Sequence, residues 1–323
     1  MEQDYVQPKI FVSRCLGFES CRWNGAVIPD KFVERLTSVS DIVTACPEKD
    51  IGLGVPRNPV RIVRSDNSER LKQLDTEKDV TEAMTDFSAA FLDELGAVDG
   101  FILKDRSPSC GLKDVKVYPG MGKHSPVDRT SGFFARAVLD RYPDAAVETE
   151  GRLNNFTIRE SFLTRIFTSA RFRAIRAGGR IRDLVQFHAE HKLLLMAYSQ
   201  KEMRLMGRIT ANHEHRDPAV VFAEYAHHLN AAFERPVRYT SNINVLMHAF
   251  GYFSDQLSRE EKQYFLNTLE EYRREQIPLS VPLRLIQAQV VRFGEDYLQQ
   301  QRFFEPYPPE LVEITDSGKG RGA

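Results

Sequence analysis

Three cysteines in this sequence stand just after short apolar segments that have the composition of buried strands. They are Cys15, Cys46 and Cys110, and each lies near Gly, Pro or Ser residues, which end a strand and expose backbone N–H groups. Ligands of parallel sheets bind beyond the carboxyl ends of the strands. If the three strands are neighbours in one sheet, their thiols meet at one edge of that sheet and can hold a soft metal centre.

The spacing of the cysteines favours an iron–sulfur centre over a zinc site. Zinc sites usually take paired cysteines on C-x-x-C knuckles, and this chain has no such pair, since Cys15 and Cys21 are six residues apart. Ligands of an iron–sulfur cluster can be widely separated in sequence. A cluster of four irons with three protein ligands leaves one iron open, which favours a thiocarbonyl or a thiolate. The alternative is that the cysteines are buried and inert, as is common in protein cores.

Residues 1–150 alternate between strand-like and helix-like segments. Short apolar runs bounded by Gly and Pro predict strands, and amphipathic runs such as Asp79–Leu95 predict helices between them. The predicted strands are Ile10–Val12, Ile42–Ala45, Val60–Val63 and Gly100–Leu103, and the other predicted helices are 30–38 and 131–139. Alternation of this kind indicates an α/β domain with a mostly parallel, Rossmann-like sheet.

The rest of the chain predicts helices without strands. Residues 151–180 form an Arg-rich linker, which the pattern predicts to be helical over 159–176. Residues 181–316 predict an all-α domain. Its predicted helices are 182–198, 218–233, 258–276 and a last one after Pro282. The final residues, 317–323, have the composition of a disordered tail.

Positive charge is concentrated in one stretch, although the net charge of the chain is −1. Between residues 151 and 182 the sequence has eight arginines and a single acid, Glu160. An arginine block of this kind is a candidate phosphate-binding surface and predicts contact with RNA. The best candidates are Arg165, Arg171, Arg173 and Arg176. A solvated face of the linker helix is the alternative.

Composition places the chain among ordinary globular proteins. It is 42% hydrophobic, no apolar run is long enough to span a membrane, and the N-terminus lacks the pattern of a signal peptide. These features predict a cytoplasmic protein without membrane contact. In the second half of the chain, His188-x-x-His191 and His213-x-His215 could bind a metal, but core or surface histidines are the more common case.

Several multi-residue motifs in the first half of the chain resemble the thiouracil desulfurase (TudS) family. In the family's order they are Cys15-Leu16-Gly17, Cys21-Arg22-Trp23-Asn24-Gly25, Cys46-Pro47-Glu48, Gly52-Leu53, Pro56-Arg57 and Ser107-Pro108-Ser109-Cys110-Gly111. The second half resembles the YbgA-type helical domain through Phe187-His188, His191-Lys192, Met206-Gly207-Arg208 and Pro306-Tyr307-Pro308. A fusion of the two resembles the bacterial tRNA 4-thiouridine desulfidases (RudS-type).

The resemblance implies a [4Fe-4S] cluster held by Cys15, Cys46 and Cys110, with one iron that has no protein ligand. It also implies that Glu48 and Ser109 are the catalytic pair. Without the resemblance, a helix-cap or salt-bridge role would be expected of Glu48 and a turn role of Ser109. Cys21 matches a cysteine of the family and is not expected to be a ligand.

The activity implied by the resemblance is conversion of 4-thiouridine in tRNA to uridine with release of sulfide. The open iron would draw electrons from C4 through the thiocarbonyl sulfur. Glu48 would move a proton to the ring or from the attacking water, and Ser109 would hold the base or water by its hydroxyl. Two alternatives stay open: desulfuration of free thiouracil or 4-thiouridine monophosphate, and a non-catalytic iron–sulfur protein that binds RNA. No oligomeric state is predicted.

Overall fold

The computed structural model describes residues 4–65 and 68–312, and these divide into two compact units. The first, which we call the sheet unit, comprises residues 6–170 with 310–312. The second, the helical unit, comprises residues 4–5 with 171–309. The predicted tail lies outside the described residues, as does the end of the predicted helical domain.

The sheet unit holds the strands of the described chain, arranged as two four-stranded sheets. In chain order they are β1 (Lys9–Ser13), β2 (Asp41–Ala45), β3 (Val60–Ser65), β4 (Ser68–Gln73), β5 (Gly100–Leu103), β6 (Val115–Tyr118), β7 (Asp128–Thr130) and β8 (Ala146–Thr149). The main sheet has the order β2-β1-β5-β8 and is parallel throughout. The predicted α/β class and the predicted parallel sheet are therefore confirmed, and β1, β2, β3 and β5 lie where the sequence predicts strands.

The second sheet has the order β4-β3-β6-β7 and was not predicted. In it, β3 pairs antiparallel with β4 and parallel with β6, and β6 pairs antiparallel with β7. The sequence predicts no strand where β6 and β7 lie. These strands are only four and three residues long, and their burial patterns include exposed positions, so they lack an apolar run.

The sheet unit also contains helices, the last of which continues into the helical unit. They are α1 (Lys31–Leu36), α2 (Thr81–Leu95), α3 (Phe133–Arg141), α4 (Glu150–Leu153) and α5 (Phe156–Gly178). In the core, the ring of Phe11 on β1 lies 5.3 Å from Phe134 on α3 and 5.7 Å from Phe101 on β5, measured between ring centroids. Aromatic packing of this density fixes β1 and β5 relative to each other.

The described residues of the helical unit form no strand, which confirms the predicted all-α region. Its helices are α6 (Ile181–Tyr198), α7 (Gln200–Ala211), α8 (Pro218–Ala232), α9 (Tyr239–Gly251), α10 (Arg259–Arg273), α11 (Ser280–Phe293) and α12 (Asp296–Gln299). The boundary between the two units falls within α5. Helix α10 begins with a capping box, in which Ser258 and Glu261 each accept the other's backbone N–H. In the described chain, no helix combines the length and the apolar composition needed to cross a membrane.

Gly132 packs directly against the turn that carries Ser109 and Cys110. A Cβ at this position would lie 2.5 Å from the backbone C and O of Ser109 and 2.7 Å from the carbonyl oxygen of Pro108. Because backbone atoms cannot swing away as a flexible side chain can, we expect Gly132→Ala to lower the free energy of unfolding by about 3 kcal/mol. Denaturant unfolding of the variant and the parent measures this loss.

The matched control is Gly120→Ala in the same unit. There a Cβ would meet the ring of His124 at 3.6 Å, an ordinary van der Waals distance, and we expect a change within about 0.5 kcal/mol. Equal stabilities of the Gly132 and Gly120 variants would contradict the close approach.

Candidate active site

The strands that precede the three cysteines are neighbours in the main sheet and end side by side. β1 lies between β2 and β5, and Ser13 at its end is opposite Ala45. The backbone N–H of Arg14 donates to the Ala45 carbonyl at 3.0 Å, and that of Lys104 donates to Ser13 Oγ at 2.9 Å. In the chain, β2 follows β1 and lies on one side of it, whereas β5 lies on the other side. Parallel sheets bind ligands at such a reversal of strand order, in a crevice beyond the carboxyl ends of the strands.

A cavity of about 330 Å³ lies at these strand ends. All four cysteines of the chain line it, and so does Glu48. The structure therefore brings together Cys15, Cys46, Cys110 and Glu48, which are far apart in the sequence. Ser109 is fully buried and does not line the cavity.

Cys15 lies in a tight turn that follows β1. The carbonyl of Ser13 accepts the N–H of Leu16 at 2.9 Å, and Gly17 has a φ of +94°, which glycine adopts without strain. Burial, with a smaller contribution from Cys46, raises the pKa of the Cys15 thiol to about 12. The turn thus holds a buried sulfur at the end of the central strand.

Cys46 follows β2 directly and precedes a short π-helical turn, Lys49–Leu53. Asp50 fixes this turn, since its Oδ2 accepts the N–H of Cys46 at 3.1 Å while its own N–H donates to the Cys46 carbonyl at 2.8 Å. Its Oδ1 accepts Nη1 of Arg14 at 2.9 Å. Single π turns of this kind are frequent at functional sites. Here the turn places Cys46 and Glu48 on the same cavity.

Cys110 lies in a turn that is closed by Ser107. The hydroxyl oxygen of Ser107 accepts the backbone N–H groups of Ser109 and Cys110 at 3.2 and 3.1 Å. The Ser107 carbonyl accepts the N–H of Gly111 at 2.8 Å. Burial raises the pKa of the Cys110 thiol well above its usual value. These bonds give the sulfur a fixed position although several residues separate it from β5.

Cys21 is fully buried and touches the loop of a predicted ligand. Its carbonyl oxygen accepts the thiol of Cys46 at 3.6 Å and Nη1 of Arg57 at 2.9 Å. Burial, followed by the proximity of Cys46, raises the pKa of the Cys21 thiol to about 12. The sequence signals this cysteine only through its motif, and spacing alone does not predict that it lines the same cavity.

Three side chains form hydrogen bonds with Glu48: Ser107 and Ser109 bond to one carboxylate oxygen, and Arg57 bonds to the other. Oε1 accepts the hydroxyl of Ser109 at 3.0 Å and that of Ser107 at 3.4 Å. Oε2 accepts Nη2 and Nε of Arg57 at 2.7 and 3.1 Å. The contact of Ser107 is the weakest of the four, and Ser107 itself lines the cavity. Oε1 is therefore the oxygen with the weaker set of hydrogen bonds.

The structure places Ser109 differently from the sequence-based expectation that it holds base or water. Its side chain has no exposed surface, and its hydroxyl donates to Glu48. In this arrangement Ser109 orients the carboxylate. The contribution of Arg57 was not predicted either, because nothing in the sequence pairs a residue of one loop with a carboxylate of another.

Positive charge and one exposed indole characterise the rest of the cavity lining. The cationic side chains are Arg14, Arg22, Arg57, Lys104 and Arg106, against the carboxylates Glu48 and Asp105. Trp23 also lines the cavity, and 45% of its surface is exposed. An exposed aromatic ring beside cationic groups suits a planar base that carries phosphate.

The three predicted cysteines suit an iron–sulfur cluster in donor type, and all three line one cavity. Among residues 4–65 and 68–312, no three histidine, cysteine or carboxylate side chains are arranged to hold a single metal ion. The thiols of Cys15, Cys46 and Cys110 instead line one cavity of about 330 Å³. Cysteine sulfurs are the usual protein ligands of iron–sulfur clusters.

The four arginines that the sequence singles out lie on α5 in different surroundings. Nη2 of Arg165 donates to the Asp144 carbonyl at 2.7 Å, and Arg171 forms an ion pair with the buried Glu190. Arg173 is half-buried and Arg176 is exposed. At 3.6 residues per turn, Arg173 and Arg176 fall about 80° and about 20° from Arg165 around the helix, whereas Arg171 falls about 120° away on the other side.

The histidines that could have formed a metal site occupy core and surface positions. Nδ1 of His188 lies 3.1 Å from the Tyr225 hydroxyl, and Nδ1–H of His191 donates to the Phe187 carbonyl at 2.8 Å. Burial lowers the pKa of His188 to about 4 and that of His191 to about 3, so both rings are neutral at pH 7. The other pair, His213-x-His215, is exposed.

Two protein families match this chain, one in each half. Residues 10–150 match the family described as 2-thiouracil desulfurase. Residues 192–308 match a family described as protein of unknown function, DUF1722. The first range lies in the sheet unit and the second in the helical unit.

Individual relatives cover each half separately. The uncharacterized protein YbgA of Escherichia coli (strain K12) is 29% identical over 161 residues, which are 49% of this chain and 95% of that protein. The uncharacterized protein YbbK of Bacillus subtilis (strain 168) is 34% identical over 110 residues, which are 32% of this chain and 72% of that protein. Among solved structures, the [4Fe-4S]-dependent thiouracil desulfidase TudS is 26% identical with a TM-score of 0.36, over 46% of this chain and 93% of that one.

This chain belongs to the 2-thiouracil desulfurase family through its first half, and that half is fused to a DUF1722 (YbgA-type) domain. The resemblance seen in the cysteine motifs and in the helical motifs is thereby confirmed.

Proposed function

We propose that this protein is an iron–sulfur-dependent desulfidase that converts 4-thiouridine in tRNA to uridine and releases sulfide. Its membership of the family places it in the thiouracil desulfidase class. The observation that carries the proposal is the common cavity of Cys15, Cys46, Cys110 and Glu48 at three adjacent strand ends. Overall, water supplies the new oxygen and the sulfur leaves as sulfide, so no oxidant or reductant is consumed.

The proposed ligands of a [4Fe-4S] cluster are Cys15, Cys46 and Cys110, which leaves one iron without a protein ligand. When bound, the cluster supplies a Lewis-acidic iron for the thiocarbonyl sulfur. The protein contributes three fixed turns that hold the sulfurs and a cavity lined by cationic side chains. Cys21 is proposed as a packing neighbour of Cys46 and not as a ligand.

Glu48 and Ser109 are the proposed catalytic pair, in which Glu48 transfers the proton and Ser109 acts through it. Glu48 lines the cavity, and its Oε1 can take a proton from an attacking water or pass one to the pyrimidine ring. Ser109 donates to the same oxygen and limits the directions in which that oxygen can accept the proton. Water adds to C4 as Glu48 takes its proton, and collapse of the tetrahedral adduct then breaks the C–S bond, which leaves uridine and sulfide.

Delivery of a nucleotide within RNA requires that the base be splayed out before it can reach the cavity. The exposed indole of Trp23 offers such a base a stacking surface. Phosphate contacts are proposed for Arg165, Arg171, Arg173 and Arg176. Arg171 is the least accessible of these, because it is paired with the buried Glu190.

A second candidate substrate is a free thiolated pyrimidine, either thiouracil or 4-thiouridine monophosphate. The description of the matched family names 2-thiouracil, which is a free base. In that case the cavity alone would suffice for binding, and the helical unit would serve another purpose.

We expect anaerobically reconstituted protein to remove 4-thiouridine from tRNA, as followed by nucleoside mass spectrometry and by sulfide release. Replacement of the proton-transferring carboxylate in Glu48→Gln should lower turnover roughly 10²–10⁴-fold without changing iron per chain. The control Asp93→Asn removes an exposed carboxylate that pairs with Arg141, and it should change turnover by less than about twofold.

The substrate decides between the alternatives. Turnover of free thiobases with tRNA left intact would favour the second candidate. Tight binding of tRNA without desulfuration of any substrate would identify a non-catalytic RNA-binding protein and contradict the proposal.

Arg176 provides a test of RNA contact by α5. If it contacts a phosphate, Arg176→Gln should weaken tRNA binding and reduce the slope of log affinity against log salt by about 1. The control Arg274→Gln removes an exposed arginine that pairs with Glu270 on α10, and it should leave the slope unchanged. Filter binding over a range of salt concentrations measures both, and equal slopes for the two variants would count against contact at Arg176.

A further inference from the structure

Arg57 makes more contacts in the candidate active site than a surface arginine would. Its side chain is 3% exposed, and its guanidinium donates four hydrogen bonds. Nε and Nη2 both donate to Oε2 of Glu48, at 3.1 and 2.7 Å. Nη1 donates to the carbonyls of Cys21 at 2.9 Å and Gly54 at 3.1 Å.

These contacts divide the oxygens of Glu48 between two tasks. Arg57 occupies both accepting directions of Oε2, so this oxygen has no direction left for a further donor. Oε1 is left to Ser109 and to the weak contact of Ser107. The planar fork of a guanidinium fixes the plane of the carboxylate, which a lysine ammonium cannot do.

The anchor points of Arg57 tie the carboxylate to the loop beside a predicted ligand. The Cys21 carbonyl, which accepts Nη1, also accepts the thiol of Cys46. The backbone N–H of Arg57 donates to the carbonyl of Trp23 at 2.8 Å. One residue therefore joins the proposed proton-transferring group, through its side chain, to the segment that carries the exposed indole, which its backbone N–H also contacts.

We infer that Arg57 is a positioning residue for desulfuration, which presents Oε1 of Glu48 to the reacting pyrimidine by holding Oε2. The inference rests on the proposed function. A misplacement of a catalytic group by about 1 Å can cost roughly 10²-fold in rate, and loss of the guanidinium frees Glu48 to turn.

The test measures kcat per bound cluster and KM for reconstituted wild-type protein, Arg57→Lys and Arg57→Met. We expect kcat per cluster to fall at least about tenfold in both variants, with KM changed by less than about threefold. Arg136→Met is the matched control, since Arg136 pairs with Glu69 and bonds to Thr130 and the Ser131 carbonyl in the same unit but outside the cavity. It should keep kcat per cluster within about twofold.

A fall in kcat per cluster of less than about tenfold would overturn the inference. So would a loss of activity that comes only from a higher KM or only from a lower cluster content per chain. If Arg57→Met does not fold, Arg57→Lys decides, and failure of Arg57→Lys to hold the cluster would assign Arg57 a structural role instead. If the wild-type protein turns over no thiolated pyrimidine, both the proposed function and the inference fail. If the wild-type protein is active and the Arg57 variants are equally active, only the inference fails.

A second readout does not depend on turnover. Arg57→Met should lower the thermal unfolding midpoint of the reconstituted protein less in the Glu48→Gln background than in the wild-type background, because the carboxylate that it pairs with is then absent. Equal lowering in both backgrounds would show that the two side chains are not coupled and would overturn the inference.

Discussion

Ser13 and Ala45 end β1 and β2 at the same level of the main sheet, and Lys104 just after β5 donates to the Ser13 hydroxyl. Cys15, Cys46 and Cys110 meet because of this alignment, since the residues that follow these strands enter the same cavity. A slip of one residue between parallel strands would turn each side chain to the opposite face of the sheet. The buried ring of Phe11, which packs on Phe101 of β5, opposes such a slip.

The turns after the strands convert this alignment into a chemical site. Loops can carry varied side chains because the strands beneath them are rigid. Here the turns are themselves held by hydrogen bonds, through Asp50 beside Cys46 and through Ser107 beside Cys110. The buried pair of Arg57 and Glu48 adds a charge interaction that a purely structural core would usually avoid. Local features that do not favour stability are expected where a protein carries out its function.

The sequence predicts the strands of this fold that consist of continuous apolar residues. The strands before the three cysteines are such runs, and the order of strands and helices predicts the parallel sheet. By contrast, β4, β6, β7 and β8 are not predicted because polar or exposed residues interrupt them, so pairing with neighbouring strands, and not composition, makes them strands. The contact of Arg57 with Glu48 is not predicted from the sequence either, because it joins two loops and loops have no periodic pattern of residues. The cysteines were found because each follows a strand, whereas the place of Cys21 depends on how its loop folds back.

Whether the ends of β1, β2 and β5 hold one cluster can be measured as iron and acid-labile sulfide per chain in anaerobically reconstituted protein, with each cysteine replaced by serine in turn. We expect Cys15→Ser, Cys46→Ser and Cys110→Ser each to lose most of the iron, and Cys21→Ser to keep it. Full iron content in any of the first three variants, or its loss in Cys21→Ser to the same extent as in them, would contradict a cluster held by the ends of β1, β2 and β5.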